Sequence, residues 1–113
     1  MDADAMKART KRYALQAIRV SQGLPRSREA DVIGRQLLRS ATSVAANYRA
    51  ACRARSTTEF VSKLGVVEEE ADETLLWIEL LTDTGILPEM KGRELAKEGE
   101  EILRIVVASI KTA

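Results

Sequence analysis

Residues Ser56 to Leu81 read STTEFVSKLGVVEEEADETLLWIELL, and this stretch decides the fold. Ser56 and Glu59 have the spacing of a capping box, in which a hydroxyl and a carboxylate satisfy the first N–H groups of a helix. One face then repeats apolar residues at steps of three and four, namely Phe60, Leu64, Val67, Ala71, Leu75 and Ile78. Such a repeat is typical of a helix with one buried face. The pattern predicts a long helix that ends near Thr84 and Gly85.

A second long helix is predicted on the N-terminal side of this stretch. It covers about residues 28–55, after a possible N-cap at Ser27. Its apolar face is formed by Ile33, Leu37, Val44 and Tyr48. Arg55 and Ser56 would then form a tight corner between the two helices, which indicates that they pack antiparallel.

Two further helices are predicted at the ends of the chain. The first covers about residues 5–22, has Leu15 and Ile18 three residues apart and ends at Gly23, which is expected to be left-handed. The last helix begins at Pro88, and Gly92 and Gly99 lower the helix propensity of its first half. Its inward face is formed by Leu95, Ile102, Val106 and Ile110. The sequence therefore predicts an all-α, antiparallel up-down-up-down four-helix bundle, with residues 1–113 as a single domain.

The composition excludes much enzyme chemistry. The 113 residues include no histidine and one cysteine, which rules out disulfide frameworks, Cys/His zinc sites and any imidazole base. The carboxylates from Glu68 to Glu73 lack the histidines of a di-iron centre. No nucleophile, base and orienting group come together in the sequence, so we expect no catalytic residues, metal or cofactor, and no enzyme activity.

The N-terminus and the hydropathy bear on location and membrane contact. The chain begins Met1, Asp2, Ala3, Asp4, without the basic and apolar regions of a secretory signal. No segment approaches the roughly 20 apolar residues that a membrane span needs. We expect a cytoplasmic protein with no membrane partner.

Charge is distributed unevenly although the net charge is only +1. Residues 1–55 carry 12 Lys/Arg and four Asp/Glu, whereas residues 56–113 carry six and 13. An antiparallel turn near residue 56 would place Arg39 opposite Glu73 and Arg53 opposite Glu59, so the second and third helices are expected to neutralise much of each other's charge. The basic first helix and the loop after it would remain as a contact surface for nucleic acid: Lys7, Arg9, Lys11, Arg12, Arg19, Arg26 and Arg28.

Polar residues on the apolar side of the second helix suggest a structural polar core. Ser43 and Asn47 lie one turn apart, and Gly65 lies roughly opposite Asn47 in the same register. Buried polar side chains need partners, so a hydrogen-bonded cluster that fixes the helix register is predicted from Arg39, Ser43, Asn47, Glu70 and Glu73. Cys52 is interpreted as a small apolar residue, although nearby arginines could make its thiol reactive.

The third helix is apolar beyond a single face. A helix that faces only one core has a narrower apolar stripe, so part of this surface is expected to meet another subunit. The predicted oligomer interface consists of Trp77, Leu76 and Leu80.

Two segments resemble a known family, the four-helix-bundle proteins named for 23S rRNA intervening sequences. The segments are residues 33–60, reading IGRQLLRSATSVAANYRAACRARSTTEF, and residues 63–81, reading KLGVVEEEADETLLWIELL. The matching residues are Arg35, Gln36, Leu37, Arg39, Ser40, Ala41, Ser43, Asn47, Glu70, Ala71, Glu73, Thr74 and Trp77. The resemblance implies an all-α bundle that assembles into a homopentameric ring.

A related branch of that family is formed by the accessory proteins of diversity-generating retroelements, which bind nucleic acid and a reverse transcriptase through a strongly basic surface. The near-neutral charge of this chain predicts weaker binding to RNA or DNA. Its four aromatic residues leave little base stacking, so this binding is expected to be sequence-tolerant. The leading hypothesis is therefore a non-enzymatic homopentamer that acts as a nucleic-acid-associated accessory protein. The alternative is a protein-binding assembly scaffold, with a reverse transcriptase or another protein as partner and no nucleic-acid role.

Overall fold

The computed structural model describes residues 2–113 as four helices: α1 (Ala3–Gln22), α2 (Arg28–Cys52), α3 (Thr57–Asp83) and α4 (Glu89–Thr112). Each helix packs against its neighbours in the chain, and α4 returns to α1. The bundle measures 45 × 21 × 19 Å. The prediction of an all-α, up-down-up-down four-helix bundle is confirmed.

Side-chain caps begin the first three helices. The Asp2 carboxylate accepts a hydrogen bond from Ala5 N at 2.7 Å. Ser27 Oγ accepts from Ala30 N, and Ser56 Oγ accepts from Glu59 N, both at 3.1 Å. Both predicted serine caps are therefore present, and each satisfies a backbone donor that the helix itself leaves unpaired.

The predicted helix ends need three corrections. Gly23 is not left-handed, because it closes α1 at φ −90° and ψ −3°. The left-handed glycine is Gly85, at φ +78°, just after α3. The second helix ends at Cys52 rather than Arg55, with Arg53 as its C-cap, and Pro88 is the N-cap of α4 rather than its first residue.

The core lies between the apolar faces of the four helices. Leu37, Val44 and Tyr48 of α2 are buried as predicted, and so are Leu95, Ile102 and Val106 of α4. The inward face of α1 differs from the predicted one, because Leu15 is 38% exposed and the buried residues are Met6, Thr10, Tyr13, Ala14 and Ala17.

Glycines let α4 lie close to its neighbours. A Cβ atom at Gly99 would be 2.5 Å from the hydroxyl of Tyr13 and 3.0 Å from Leu75 Cδ2, and one at Gly92 would overlap Thr82. Both glycines are buried in α4. Glycine lowers the helix propensity of α4, as expected from the sequence. The absence of a side chain at these two positions lets α1 and α3 lie close to the α4 backbone.

Candidate nucleic-acid interface

The outer face of α1 presents most of the predicted basic residues. Lys11, Arg12 and Arg19 are exposed, and Lys7 is half-buried. Leu15, also exposed, lies among them. This surface, hereafter the α1 basic face, consists of Lys7, Lys11, Arg12 and Arg19, none of which lies within 4.0 Å of a carboxylate oxygen in the described part of the chain.

Arg9 does not belong to the α1 basic face, which corrects the sequence-based prediction. Its Nε and Nη2 atoms donate to the two carboxylate oxygens of Glu98 on α4, at 2.8 and 2.9 Å. The two side chains are only 21% and 26% exposed. The hydrogen bonds to Glu98 raise the pKa of the Arg9 guanidinium further above its usual value. Arg9 therefore ties α1 to α4 and has its donors committed to a carboxylate.

The loop between α1 and α2 carries the other two predicted contacts. Arg26 and Arg28 are both exposed. Arg28 makes a 3.4 Å contact with Glu29, and these side chains are 88% and 61% exposed. A pair this exposed is held weakly, so both arginines remain accessible to a ligand at this end of the bundle.

An open groove runs between α1 and α4, and its two walls carry opposite charge. Arg12 and Arg19 line the α1 wall, whereas Glu94, Glu98 and Glu101 line the α4 wall together with Lys97 and Arg104. Its volume is ≈ 970 Å³. A phosphate beside Arg12 or Arg19 would therefore also experience the field of the α4 carboxylates, which weakens its attraction.

The predicted polar core is placed differently in the structure. Arg39 donates to Glu73 at 2.6 Å and to Glu70 at 3.3 Å, but its side chain is 51% exposed, so this group bridges α2 and α3 at the surface. Asn47 is half-buried and donates to Ser43 O of its own helix at 2.9 Å. The expectation of a buried cluster around Ser43 and Asn47 is wrong.

Charge neutralisation between α2 and α3 is also less complete than expected. Arg39 makes the ion pairs that join these two helices within residues 2–113. Glu59 does not pair with Arg53, because its carboxylate accepts from the backbone N of Arg55 at 3.4 Å. Four cations near the α2–α3 corner are left without an ion pair: Arg49, Arg53, Arg55 and Lys63. The sequence-based prediction missed these residues, although three arginines within seven positions before a helix cap were a visible signal.

The predicted oligomer interface is only partly on the surface. Leu76 and Leu80 are 46% and 37% exposed. Trp77 is half-buried and packs against the core of its own bundle, with Nε1 buried and without a hydrogen-bond partner. Trp77 therefore belongs to the packing within the bundle more than to the outer surface.

Further apolar residues share this side of the bundle. Val66 and Leu80 lie seven residues on either side of Glu73, and Val32 lies seven residues before Arg39. Seven residues are nearly two helical turns, so these side chains follow the Arg39–Glu73 ion pair along the α2–α3 face. Val32 and Val66 are 54% and 41% exposed. We call Val32, Val66, Leu76 and Leu80 the α2–α3 apolar patch.

The described residues offer neither a membrane span nor a metal site. Across residues 2–113, no helix is both long and apolar enough to cross a bilayer. Within the same residues, no group of three or more Cys, Asp or Glu side chains is arranged to hold a metal ion.

The helices and their charge layout define a small all-α four-helix bundle with basic surfaces and an exposed apolar patch. Residues 5–108 match the family model described as 23S rRNA-intervening sequence protein, so the chain belongs to that family. It is similar to a protein of unknown function from the S23 ribosomal protein family of Bacteroides thetaiotaomicron, whose crystal structure superposes with a TM-score of 0.91. That similarity is 30% in sequence and covers 98% of this chain and 99% of the other. No curated protein sequence matches this chain.

Proposed function

We propose that this protein is a non-enzymatic accessory subunit that assembles into a homopentameric ring and binds RNA or DNA weakly and without sequence preference. The observation that carries the proposal is the α1 basic face, on which Lys11, Arg12 and Arg19 are exposed and free of carboxylate partners within residues 2–113. Arg26 and Arg28 extend this surface toward one end of the bundle. Arg9 is excluded from it because Glu98 occupies its donors.

Assembly is supported by the α2–α3 apolar patch. Its four side chains are between 37% and 54% exposed in the monomer. Exposed apolar side chains that are grouped on one face of a soluble protein favour a protein–protein contact there. The number of five subunits is what the resemblance to the family implies.

Weak binding by one subunit is useful when several copies act together. Four to six cations per subunit neutralise few phosphates, and binding that depends on counterion release falls steeply with salt. In a ring, five such surfaces act on one strand and raise the overall affinity through effective concentration. This requires that the five α1 basic faces lie on the same side of the ring.

Sequence tolerance follows from the aromatic residues. The chain has one Trp, two Tyr and one Phe. Tyr13 and Tyr48 are buried, and Phe60 and Trp77 are half-buried against the core. Base stacking on aromatic side chains, the usual means of reading single strands, is therefore absent from the α1 basic face, and contacts to the phosphate backbone dominate.

The test is fluorescence anisotropy with labelled single- and double-stranded RNA and DNA at about 50 and 200 mM salt, a range over which electrostatic binding changes strongly. The wild type is compared with a variant in which Lys7, Lys11, Arg12 and Arg19 are all changed to Gln, hereafter the α1 variant. The matched control changes four cations on α4 to Gln, namely Lys91, Arg93, Lys97 and Arg104, and is hereafter the α4 variant. We expect binding to weaken strongly in the α1 variant and only slightly in the α4 variant. Absence of binding by the wild type at the lower salt contradicts the proposed nucleic-acid role.

A protein-binding scaffold is the second candidate function, and the α1–α4 groove favours it. The groove has a basic wall, an acidic wall and the exposed side chain of Leu15 at its edge, a combination suited to a polypeptide that carries both charges. A reverse transcriptase or another protein would then be the partner. Binding of such a partner that is abolished in the Leu15→Glu variant, with no binding of nucleic acid by the wild type, supports this second function.

A further inference from the structure

A second basic surface lies at the corner where α2 meets α3. Arg49 lies in the last turn of α2, Arg53 and Arg55 lie in the connection to α3, and Lys63 lies on the second turn of α3. Together with Ala46, Ala50 and Glu59 they line a shallow depression of ≈ 490 Å³. We call this surface the basic corner.

The basic corner has more positive charge than its surroundings neutralise. None of its four cations lies within 4.0 Å of a carboxylate oxygen in residues 2–113. Glu59 is the one acidic residue in the lining, and its carboxylate is directed to the backbone N of Arg55. Four cations and one carboxylate give the depression a net charge of +3, unlike the α1–α4 groove, where carboxylates face the arginines.

The shape and composition of the basic corner favour phosphate as its ligand. Ala46 and Ala50 also line the basic corner, and their small side chains leave space between the longer basic ones. The lining has no large apolar or aromatic residue, whereas the core of a protein–protein interface is rich in such residues. The guanidinium group of arginine can donate two parallel hydrogen bonds to two oxygens of one phosphate. Arg49 lies in the last turn of α2 and Arg53 is the C-cap of that helix, so the two guanidinium groups come from neighbouring positions and can each contact a phosphate of the same strand.

We infer that the basic corner is a binding site for the phosphodiester backbone of nucleic acid, separate from the α1 basic face. The inference rests on the proposed function, since it names a second contact for the same ligand. Val66 brings the α2–α3 apolar patch to within one helical turn of Lys63, but Val32 lies about 25 Å from Arg49 along α2, and Leu76 lies about 20 Å from Lys63 along α3. Self-association through the Val32 end of the patch leaves the corner open to a strand.

The experiment uses the full chain with Arg49, Arg53, Arg55 and Lys63 all changed to Gln, hereafter the corner variant. The α4 variant is its control, because it removes the same number of positive charges from another helix. Circular dichroism and light scattering establish that each variant keeps the fold and the mass of the wild type. Labelled single-stranded RNA is titrated at several salt concentrations between about 50 and 200 mM.

We expect the affinity of the corner variant to fall at least about tenfold at the lower salt, and the slope of log K against log salt to become shallower by about 0.7 for each phosphate that is no longer neutralised. A purely structural effect would change the affinity without changing that slope. Equal reductions in the corner and α4 variants would overturn the inference, because only net charge would then matter. Unchanged affinity and slope in the corner variant would also overturn it.

Other outcomes separate this inference from the proposed function. If the wild type binds RNA and only the α1 variant is weakened, the proposed function stands and the corner site is wrong. If a labelled poly-glutamate peptide binds the wild type through the corner more tightly than RNA does, the corner is a protein-binding surface and the inference is wrong. If the wild type binds no nucleic acid at all, the proposed function and the corner site both fail.

Discussion

The side-chain oxygens of Ser40 and Thr74 lie 2.8 Å apart in the interior, where α2 and α3 pack against each other. Neither residue has exposed surface. Thr74 Oγ1 also lies 2.7 Å from Glu70 O, and Ser40 Oγ lies 3.3 Å from Leu37 O. A buried hydroxyl needs a partner, so sliding one helix along the other would cost this pair its mutual hydrogen bond. Ser40 and Thr74 thus have the register-fixing role that the sequence suggested for Ser43 and Asn47.

Replacing Thr74 with Val should lower the free energy of unfolding by about 1 kcal/mol, because Ser40 loses its partner on α3. The double change of Ser40 to Ala and Thr74 to Val should cost less than the sum of the two single changes, since neither side chain then has an unsatisfied group. Urea denaturation measures all three variants.

The matched control is Thr42→Val. The Thr42 hydroxyl bonds only to carbonyls of its own helix, at 2.8 and 3.1 Å, and should show no coupling to Ser40. Strictly additive effects at Ser40 and Thr74 would show that their hydrogen bond has no energetic weight.

Reversing the charge of Arg39 should destabilise the bundle by up to about 1 kcal/mol, the usual range for exposed ion pairs. A glutamate at this position would face the carboxylates of Glu70 and Glu73, which now lie 3.3 and 2.6 Å from Arg39. Combining Arg39→Glu with Glu73→Arg should restore much of the stability. The coupling is measured by denaturation at low salt and at about 1 M salt, and it should shrink at the higher salt because charges are screened. A coupling that salt leaves unchanged contradicts an electrostatic origin.

The parts of the fold that follow local rules were predictable from sequence. Ser27 and Ser56 begin helices because each hydroxyl accepts a hydrogen bond from the backbone N–H three residues later. This local contact does not depend on the tertiary fold. The inward face of α1 was not predictable in the same way, because Thr10, Ala14 and Ala17 are small or polar and give little periodic signal.

The candidate site depended on contacts that no local rule sets. Arg9 and Glu98 are 89 residues apart in sequence, and no short turn fixes the register between α1 and α4 as the corner does between α2 and α3. The ion pair of Arg39 and Glu73 was predictable because the short α2–α3 turn sets the register of these two helices. The unpaired charge of Arg53 was not, although Arg53 faces Glu59 in that register, because the direction of each side chain decides whether two facing charges meet.

Replacing Gly99 with Ala should destabilise the protein by about 1–3 kcal/mol, because the added methyl group has no space. Its Cβ would lie 2.5 Å from Tyr13 Oη, which is buried without a hydrogen-bond partner. Tyr13→Phe alone should be neutral or stabilising, since it removes an unsatisfied hydroxyl. Tyr13→Phe combined with Gly99→Ala should recover part of the stability. Thermal and urea denaturation of the three variants measure this coupling.

Gly65→Ala is the control for the change at Gly99. Apart from the neighbouring residues and backbone of its own helix, a Cβ atom at Gly65 would have no atom within 4 Å, so alanine should stabilise α3 by about 0.5–1 kcal/mol through its higher helix propensity. If both glycine changes affect stability equally, close packing at Gly99 is not the cause.

Stability should fall at alkaline pH because of Tyr48. Burial, with a smaller effect of the neighbouring Cys52, raises the pKa of Tyr48 from 10.0 to about 12. The unfolded chain therefore loses this proton at lower pH than the folded one. The stabilising contribution is complete below about pH 10 and disappears as the pH rises through the folded pKa. Urea denaturation between about pH 9 and pH 12 should show a smaller decline for Tyr48→Phe than for the wild type, and equal declines contradict this prediction.

Changing both Leu76 and Leu80 to Gln should convert the assembly to monomers of 12.5 kDa, because these side chains are 46% and 37% exposed in the monomer and buried apolar area drives association. Light scattering of the wild type should give about five times the monomer mass, as the family resemblance implies. Leu15→Gln with Met90→Gln is the matched control, since it removes two exposed apolar side chains from α1 and α4 and leaves the α2–α3 face intact. Monomers of the test variant that still bind RNA, with lower affinity than the ring, would show that avidity strengthens a site complete in one subunit. A wild type that is monomeric at every concentration contradicts both the ring and the role of the apolar patch.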